Sequence, residues 1–199
     1  MPPTRQPRRA DAQRSFDSIL DAALDALASD PDASMAEIAR RAGVVRATIY
    51  VHFPTREALI AAVTHRAVAE VTDAINAAEP TRGEATLALE RVVAAAWRNL
   101  GRFHALVQVN TRLPHANLHA MHQPVLAVLQ PLVERGQRDG TFRSDVPAAW
   151  HLSMLLALVH AASGELSAGR IPTAQVEAAL LASVLGAICV PAAGHDDEE

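Results

Sequence analysis

Apolar residues recur along most of the chain at intervals of three and four positions, a spacing that places them on one face of an α-helix. Residues 11–28 show this pattern in an apolar stripe made of Phe16, Ile19, Leu20, Ala23, Leu24 and Leu27. No alternation of apolar and polar residues is long enough to indicate a β-strand. The pattern therefore predicts an all-α protein of about nine helices.

Proline and glycine separate most of the later helical segments. Helices are predicted at residues 55–78, 84–100, 103–113, 125–138, 147–168 and 173–190. Pro131 lies inside one of them and is expected to kink it or to mark a new start. Thr173 is expected to cap the last helix.

Residues 34–53 predict two short helices joined by a tight turn. Ser34 and Glu37 have the spacing of a capping box that begins the first helix. Gly43 is expected to end it, because glycine accepts the left-handed conformation of a helix stop. Thr55 is suited to cap the helix that follows. This is the layout of a helix-turn-helix, whose second helix enters the major groove of DNA.

The same stretch matches a family signature at Ala42, Gly43, Val44, Ala47, Thr48, Ile49, Tyr50, His52, Phe53, Glu57 and Leu59. On these positions, over about the first third of the chain, the sequence resembles the TetR family of transcriptional regulators. The resemblance implies an N-terminal three-helix DNA-binding domain and a C-terminal helical domain for ligand binding and dimerisation. Val45 stands where the family usually has a small polar capping residue. The loss of such a cap costs about 1 kcal/mol of helix stability. Arg56 replaces the usual lysine and keeps its charge.

The second helix of this motif carries the residues expected to touch DNA. Arg46 and Ala47 suit base edges, since arginine pairs with guanine and a small side chain permits contact with a thymine methyl group. The resemblance implies that Thr48, Tyr50 and His52 contact phosphates. Tyr50 also suits partial core packing, and His52 also suits a solvated surface. The DNA-facing set is Ser34, Val45, Arg46, Ala47, Thr48, Tyr50, His52 and Arg56.

Charge is distributed unevenly over a chain whose net charge is −4. Residues 1–66 carry nine arginines against eight acidic residues, and residues 67–199 carry nine against fourteen. The segment from 40 to 56 is locally basic, which suffices for phosphate contact. We expect a disordered basic arm at 1–10, a DNA-binding domain at 11–66, a ligand-binding and dimerisation domain at 67–190, and a disordered acidic tail at 191–199.

The second domain is expected to hold a small-molecule pocket, mostly apolar with a few polar groups. Each candidate alone suits an ordinary core position equally well. The candidates are Trp97, Phe103, Leu106, Val107, Asn110, Met121, Leu126, Leu155 and His160.

The last two helices are apolar on more than one face, which indicates burial on two sides. By resemblance they pair with a second copy in a four-helix bundle, and a twofold dimer suits a pseudo-palindromic operator. The predicted interface residues are Trp150, Met154, Leu158, Leu181, Val184, Leu185 and Ile188.

Histidines at 115, 119 and 122 would share one helical face and could ligate a metal, but no cysteine or acid completes the set. We therefore assign no metal or cofactor site, and we find no pattern typical of an enzyme. One cysteine and no apolar run of about 18 residues fit a cytoplasmic protein.

The sequence is read as a dimeric, ligand-responsive DNA-binding regulator, most simply a repressor released from its operator by a small hydrophobic molecule. Two alternatives stay open. One is a helical small-molecule binding protein with a vestigial DNA-binding module, and the other is a metal-responsive regulator. The polar side chains retained on the second helix of the motif argue against the first alternative.

Overall fold

The computed structural model describes residues 6–110 and 119–190. Nine α-helices begin and end within them: α1 (Gln6–Ser29), α2 (Met35–Arg41), α3 (Arg46–His52), α4 (Arg56–Ala77), α5 (Ala85–Leu100), α6 (His104–Asn110), α7 (Gln123–Arg138), α8 (Ala148–Ser167) and α9 (Thr173–Ile188). A 3₁₀ turn, Gly101–Phe103, precedes α6. The all-α fold is confirmed. Among the described helices, none combines the length and apolarity needed to cross a membrane.

The chain divides into two compact units, the first made of residues up to Ala67 together with Arg102–Arg112. This unit contains α1, α2, α3, the first half of α4, and α6. Helix α1 packs against α2 and α6, and α2 packs against α3. Its core is built from Ile19, Leu27, Ile38, Ile49, Phe53 and Leu59.

Helix α6 joins the first unit, although the sequence placed residues 103–113 in the second domain. Asn110 is 4% exposed, and its Nδ2 donates a hydrogen bond to Thr64 Oγ1 over 3.0 Å. The Thr64 hydroxyl in turn donates to the carbonyl of Ile60 over 2.8 Å. Buried polar groups need such partners. This pair ties α6 to the first half of α4 and explains the correction.

The second unit comprises residues 68–101 and 113–199, of which the structure describes 68–101 and 119–190. It contains the second half of α4 with α5, α7, α8 and α9, and α8 packs on both α7 and α9. One apolar cluster fills it, including Ile75, Leu89, Val92, Leu132, Phe142, Leu152, Val184 and Ile188.

The start of α1 and the cap of α9 differ from the predicted ones. Helix α1 begins at Gln6, inside the segment predicted to be disordered, and Pro7 is tolerated because the first turn of a helix needs no N–H partners. Helix α7 runs through Pro131 rather than restarting there; the residue is exposed, so the carbonyl that loses its partner can face water. Pro172, rather than Thr173, occupies the cap position of α9. Residues 1–5 and 191–199 lie outside the described residues.

Candidate functional site

The helix-turn-helix is held by local hydrogen bonds at each of its ends. Ser34 Oγ accepts the Glu37 N–H over 3.2 Å, so the predicted cap is confirmed. Gly43 has φ of 68°, the left-handed stop that favours glycine. Thr55 Oγ1 accepts the Ala58 N–H over 3.1 Å and caps α4. The turn and the starts of α2 and α4 are therefore fixed by residues close together in the sequence.

Helix α3 is anchored by one apolar face and presents the other to solvent. Ile49 is fully buried and Phe53 is 3% exposed, so their predicted core role is confirmed. Ala47 and Val51 lie on the opposite face, and both are exposed. The helix therefore displays a defined outer surface on a rigid base.

Arg46 and Tyr50 share one flank of α3, four residues apart. The Arg46 guanidinium carbon lies 5.8 Å from the centre of the Tyr50 ring, a cation–π contact that keeps the arginine extended along the helix surface. Tyr50 is 40% exposed. Both side chains are free to approach a nucleic acid while supporting each other.

Thr48 and His52 lie on the other flank and are half-buried. The His52 ring stands edge-on to Phe16, with ring centres 6.0 Å apart, and lies 6.2 Å from Phe53. Packing therefore orients the imidazole, and its exposed edge can still donate a hydrogen bond.

Val45 occupies the N-cap position of α3 with φ of −72° and ψ of 150°, and its side chain makes no capping hydrogen bond. The predicted uncapped start of the helix is confirmed. The valine side chain instead points outward and is 70% exposed.

Arg56 is hydrogen-bonded to the loop before α2. Its NH2 atom donates to the carbonyl of Pro31 over 2.6 Å, and its Nε donates to that of Ala33 over 3.3 Å. The side chain thus braces the loop before α2 from the start of α4. Its predicted place among the DNA-facing residues stays a prediction.

Glu37 reduces the positive charge available beside the motif. Its carboxylate accepts hydrogen bonds from Arg40 over 2.6 Å and 2.9 Å and from Arg41 over 2.8 Å. The bonds from Arg40, and next those from Arg41, lower the pKa of Glu37 to about 2. Glu37 is therefore ionised at neutral pH, and the local basic patch is smaller than the arginine count suggests.

The predicted ligand-binding residues fall into both units. Phe103, Leu106, Val107 and Asn110 are buried in the first unit, whereas Trp97, Leu126 and Leu155 are buried in the apolar cluster of the second. A single pocket made by all of them stays a prediction. Trp97 is 6% exposed, so its removal would cost core packing whatever its role in binding.

His160 stands apart from these core residues because one of its nitrogens is buried without a partner. Its Nδ1 lies 2.7 Å from the carbonyl of Leu156, which fixes the proton on that nitrogen. Among the described residues, nothing hydrogen-bonds its buried Nε2. The ring of His122 lies edge-on, with ring centres 5.5 Å apart. His160 thus offers an unused acceptor next to a second imidazole. Met121, which directly precedes His122 in the sequence, is half-buried.

A surface groove of about 570 Å³ in the second unit was not predicted from the sequence. Its floor forms where small side chains of α4 and α5 leave a depression, and the only available signal was the alanine content of these helices. Its two arginines are already engaged: Arg91 donates to the carbonyls of residues 78, 79 and 82, and Arg98 lies 3.7 Å from Glu177. Because Glu90 also lines the groove and Glu177 lies beside Arg98, the groove offers little net charge to a ligand.

Two of the three histidines considered as metal ligands lie within the described residues. His119 is exposed, His122 lies beside His160, and His115 lies outside the described residues. Across residues 6–110 and 119–190, no three potential ligand side chains are grouped closely enough to hold a metal ion.

The predicted dimer residues separate into two groups. Val184 and Ile188 are fully buried within the protomer, so they belong to its own core and are removed from the predicted interface. Trp150 is 62% exposed, and the remaining four are half-buried: Met154, Leu158, Leu181 and Leu185.

Comparison with known proteins agrees with this geometry. The family model for bacterial regulatory proteins of the tetR family matches residues 19–63. The chain is 30% identical over 181 residues to the HTH-type transcriptional repressor LfrR of Mycolicibacterium smegmatis, covering 88% of this chain and 91% of LfrR.

Two solved structures extend the likeness over both units. The structure of LfrR in complex with proflavine has a TM-score of 0.70 and 29% identity, covering 89% of this chain and 98% of that one. A TetR family regulator from Shewanella sp. PV-4 has a TM-score of 0.70 and 26% identity, covering 88% and 98%. The chain therefore belongs to the TetR family and is a DNA-binding transcriptional regulator, not an enzyme.

Proposed function

We propose that this protein is a cytoplasmic repressor that binds a pseudo-palindromic operator as a homodimer and leaves it when a small molecule binds the second unit. The proposal rests on the outer surface of α3. Ile49 and Phe53 fix the helix in the core, and Arg46 and Tyr50 support each other on its exposed flank. Such a surface is built for contact with a duplex, which disfavours a vestigial module.

The residues of α3 are proposed to have different roles in binding DNA. Arg46 is placed to pair with a guanine, because its planar fork matches the two acceptors on the major-groove edge. Ala47 allows the helix to approach the bases closely. Thr48, Tyr50 and His52 are suited to donate hydrogen bonds to phosphates, which set the register of the helix without reading sequence. Arg56, whose position is fixed by loop carbonyls, keeps its positive charge and is also proposed to face a phosphate.

Selection from random duplexes tests this proposal directly. We expect an enriched inverted repeat whose affinity falls steeply as salt rises, since phosphate contacts release counterions. Arg46→Ala should relax the choice of base at one position in each half-site, at a cost of about 1–3 kcal/mol. Tyr50→Phe removes only a hydroxyl and should weaken all sites alike. Failure to enrich any repeat, with or without effector, would contradict the proposed function.

The homodimer is supported by the exposed faces of α8 and α9. These helices pack against each other, and each exposes a row of small residues at helical spacing. The exposed small residues of α8 are Ala149, Ser153, Ala157 and Ala161, and those of α9 are Ala178, Ala182 and Gly186. Small side chains let helices of two protomers approach closely, and Trp150 and Leu185 add apolar area at the edges.

The effector is proposed to be a small aromatic molecule that carries an N–H donor. LfrR, a 29% identical relative, has been solved with proflavine bound, which supports this class. The buried, unpartnered Nε2 of His160 is an acceptor that such a donor would satisfy. Binding there would act on the operator by linkage, since each ligand lowers the affinity for the other by the same factor.

Aromatic amines such as proflavine are the probes for the effector site. We expect proflavine to raise the melting temperature, because a ligand that binds only the folded state stabilises it by mass action. His160→Leu removes the acceptor at similar volume and should weaken proflavine binding about tenfold while leaving operator affinity unchanged. His119→Leu, an exposed change, is the matched control. Equal binding of proflavine to wild type and His160→Leu would contradict this role for His160.

A further inference from the structure

Two valines of the helix-turn-helix are exposed without any structural role in the free protein. Val45 is 70% exposed and Val51 is 80% exposed. Neither side chain anchors α3, because that of Val45 makes no capping bond and Val51 lies opposite the anchors Ile49 and Phe53. Exposed Ala47 lies on the same outer face as Val51. The motif therefore presents one cation, Arg46, and three exposed apolar side chains: Val45 at the start of α3, and Ala47 and Val51 on its outer face.

The chemistry of these three side chains limits what they can contact on DNA. A valine side chain has no hydrogen-bond donor, so it gains nothing from a phosphate. The major groove displays one apolar group, the C5-methyl of thymine, whereas cytosine presents an amino group and no methyl. Residues near the start of a recognition helix reach base edges, and Val45 immediately precedes that start.

We propose that Val45 and Val51 read thymine methyl groups in each operator half-site, so that they determine sequence preference together with Arg46. This inference rests on the proposed function, since it assumes that α3 enters the major groove. It further requires that each half-site contain a thymine whose methyl group, rather than its hydrogen-bonding edge, controls affinity. Arg46 would read guanine, and the two valines would read thymine.

Deoxyuridine separates the methyl group from every other feature of thymine, because it keeps the same hydrogen-bonding groups. The experiment replaces each thymine of the selected operator in turn and measures the dissociation constant at fixed salt. We expect at least one position per half-site where loss of the methyl group weakens binding about fourfold, and about 15-fold when both half-sites are changed.

Serine variants assign each methyl group to its valine. In Val45→Ser the effect of deoxyuridine should vanish at one position, and in Val51→Ser it should vanish at another. Val45→Ser also supplies the missing N-cap side chain, so it should preserve or raise thermal stability, which excludes a misfolded helix as the cause. Leu87→Ser, at a 51% exposed position of the second unit, is the matched control and should keep the wild-type profile.

The outcomes distinguish this inference from the function on which it rests. If no operator is enriched, the proposed function fails and the inference fails with it. If an operator is found but no thymine-to-deoxyuridine change weakens binding, the inference alone is overturned. It is also overturned if both serine variants keep the full wild-type sensitivity to the missing methyl groups.

Discussion

Gly136→Ala is expected to destabilise the second unit by about 2–4 kcal/mol, because a β-carbon at this position would overlap a buried ring. The added carbon would lie 2.1 Å from Cδ2 of Phe142, far inside any real contact distance. Phe142 is 1% exposed, so its ring cannot move aside into solvent. The gain in helix propensity of about 1 kcal/mol is too small to compensate.

The backbone explains why the ring lies over this glycine. Helix α7 ends in a Schellman motif in which the Thr141 N–H bonds the Gly136 carbonyl over 3.0 Å and the Gly140 N–H bonds that of Gln137 over 3.2 Å. Gly140, with φ of 73°, turns the chain back on itself. Phe142 therefore returns over the last turn of α7, where only a glycine leaves room.

Chemical denaturation of single and double variants checks this steric origin. In a Phe142→Leu background the smaller side chain should relieve most of the penalty of Gly136→Ala, which gives a large coupling energy. Gly101→Ala is the matched control, because its added carbon meets no atom within 4 Å, and it should change stability little. Equal penalties of Gly136→Ala in both backgrounds would show that the clash with Phe142 is not the cause.

The parts of the site that the sequence predicted well are those held by short-range interactions. Ser34 and Thr55 cap helices through bonds to residues three positions away, and Gly43 fixes its own backbone. A pattern of adjacent residues contains all of that information. The missing cap at Val45 was predictable for the same reason.

The parts that the sequence did not predict depend on distant partners. Arg56 pairs with carbonyls 23 and 25 residues away, and Asn110 meets Thr64 across 46 residues. Nothing in the local pattern around either residue indicates those partners. Asn110 therefore resembled a polar group of a ligand pocket, although it ties α6 to the DNA-binding unit.

The two faces of α9 illustrate a second limit of periodicity. The helix is apolar on more than one face, so spacing could not tell which side enters the protomer core. Val184 and Ile188 occupy the core, whereas the exposed face is made largely of alanine and glycine. Alanine counts as apolar in the pattern, yet its exposure to water costs little free energy. Only the burial of each residue in the structure therefore distinguishes the two faces.

The exposed face of α9 can be tested without disturbing the protomer. The test variant is Ala182→Glu, which places a glutamate on this face. Its matched control is Ala127→Glu, at an exposed position of α7. It adds the same charge to the same unit away from the proposed bundle, and it should leave both the dimer and operator binding intact. Helix content by circular dichroism should match the wild type in the control and in the test variant.

Ala182→Glu is expected to separate the protein into monomers and to weaken operator binding at least about a hundredfold. The residue is exposed in the protomer, so the change removes no core contact. In a twofold bundle the glutamate would be buried without a partner, and symmetry would repeat that cost on the other protomer. A monomer holds only one half-site, so it loses the gain in affinity from linked binding. Sedimentation and operator titration measure the two effects, and a variant that stays dimeric at micromolar concentration would show that the dimer forms through another face.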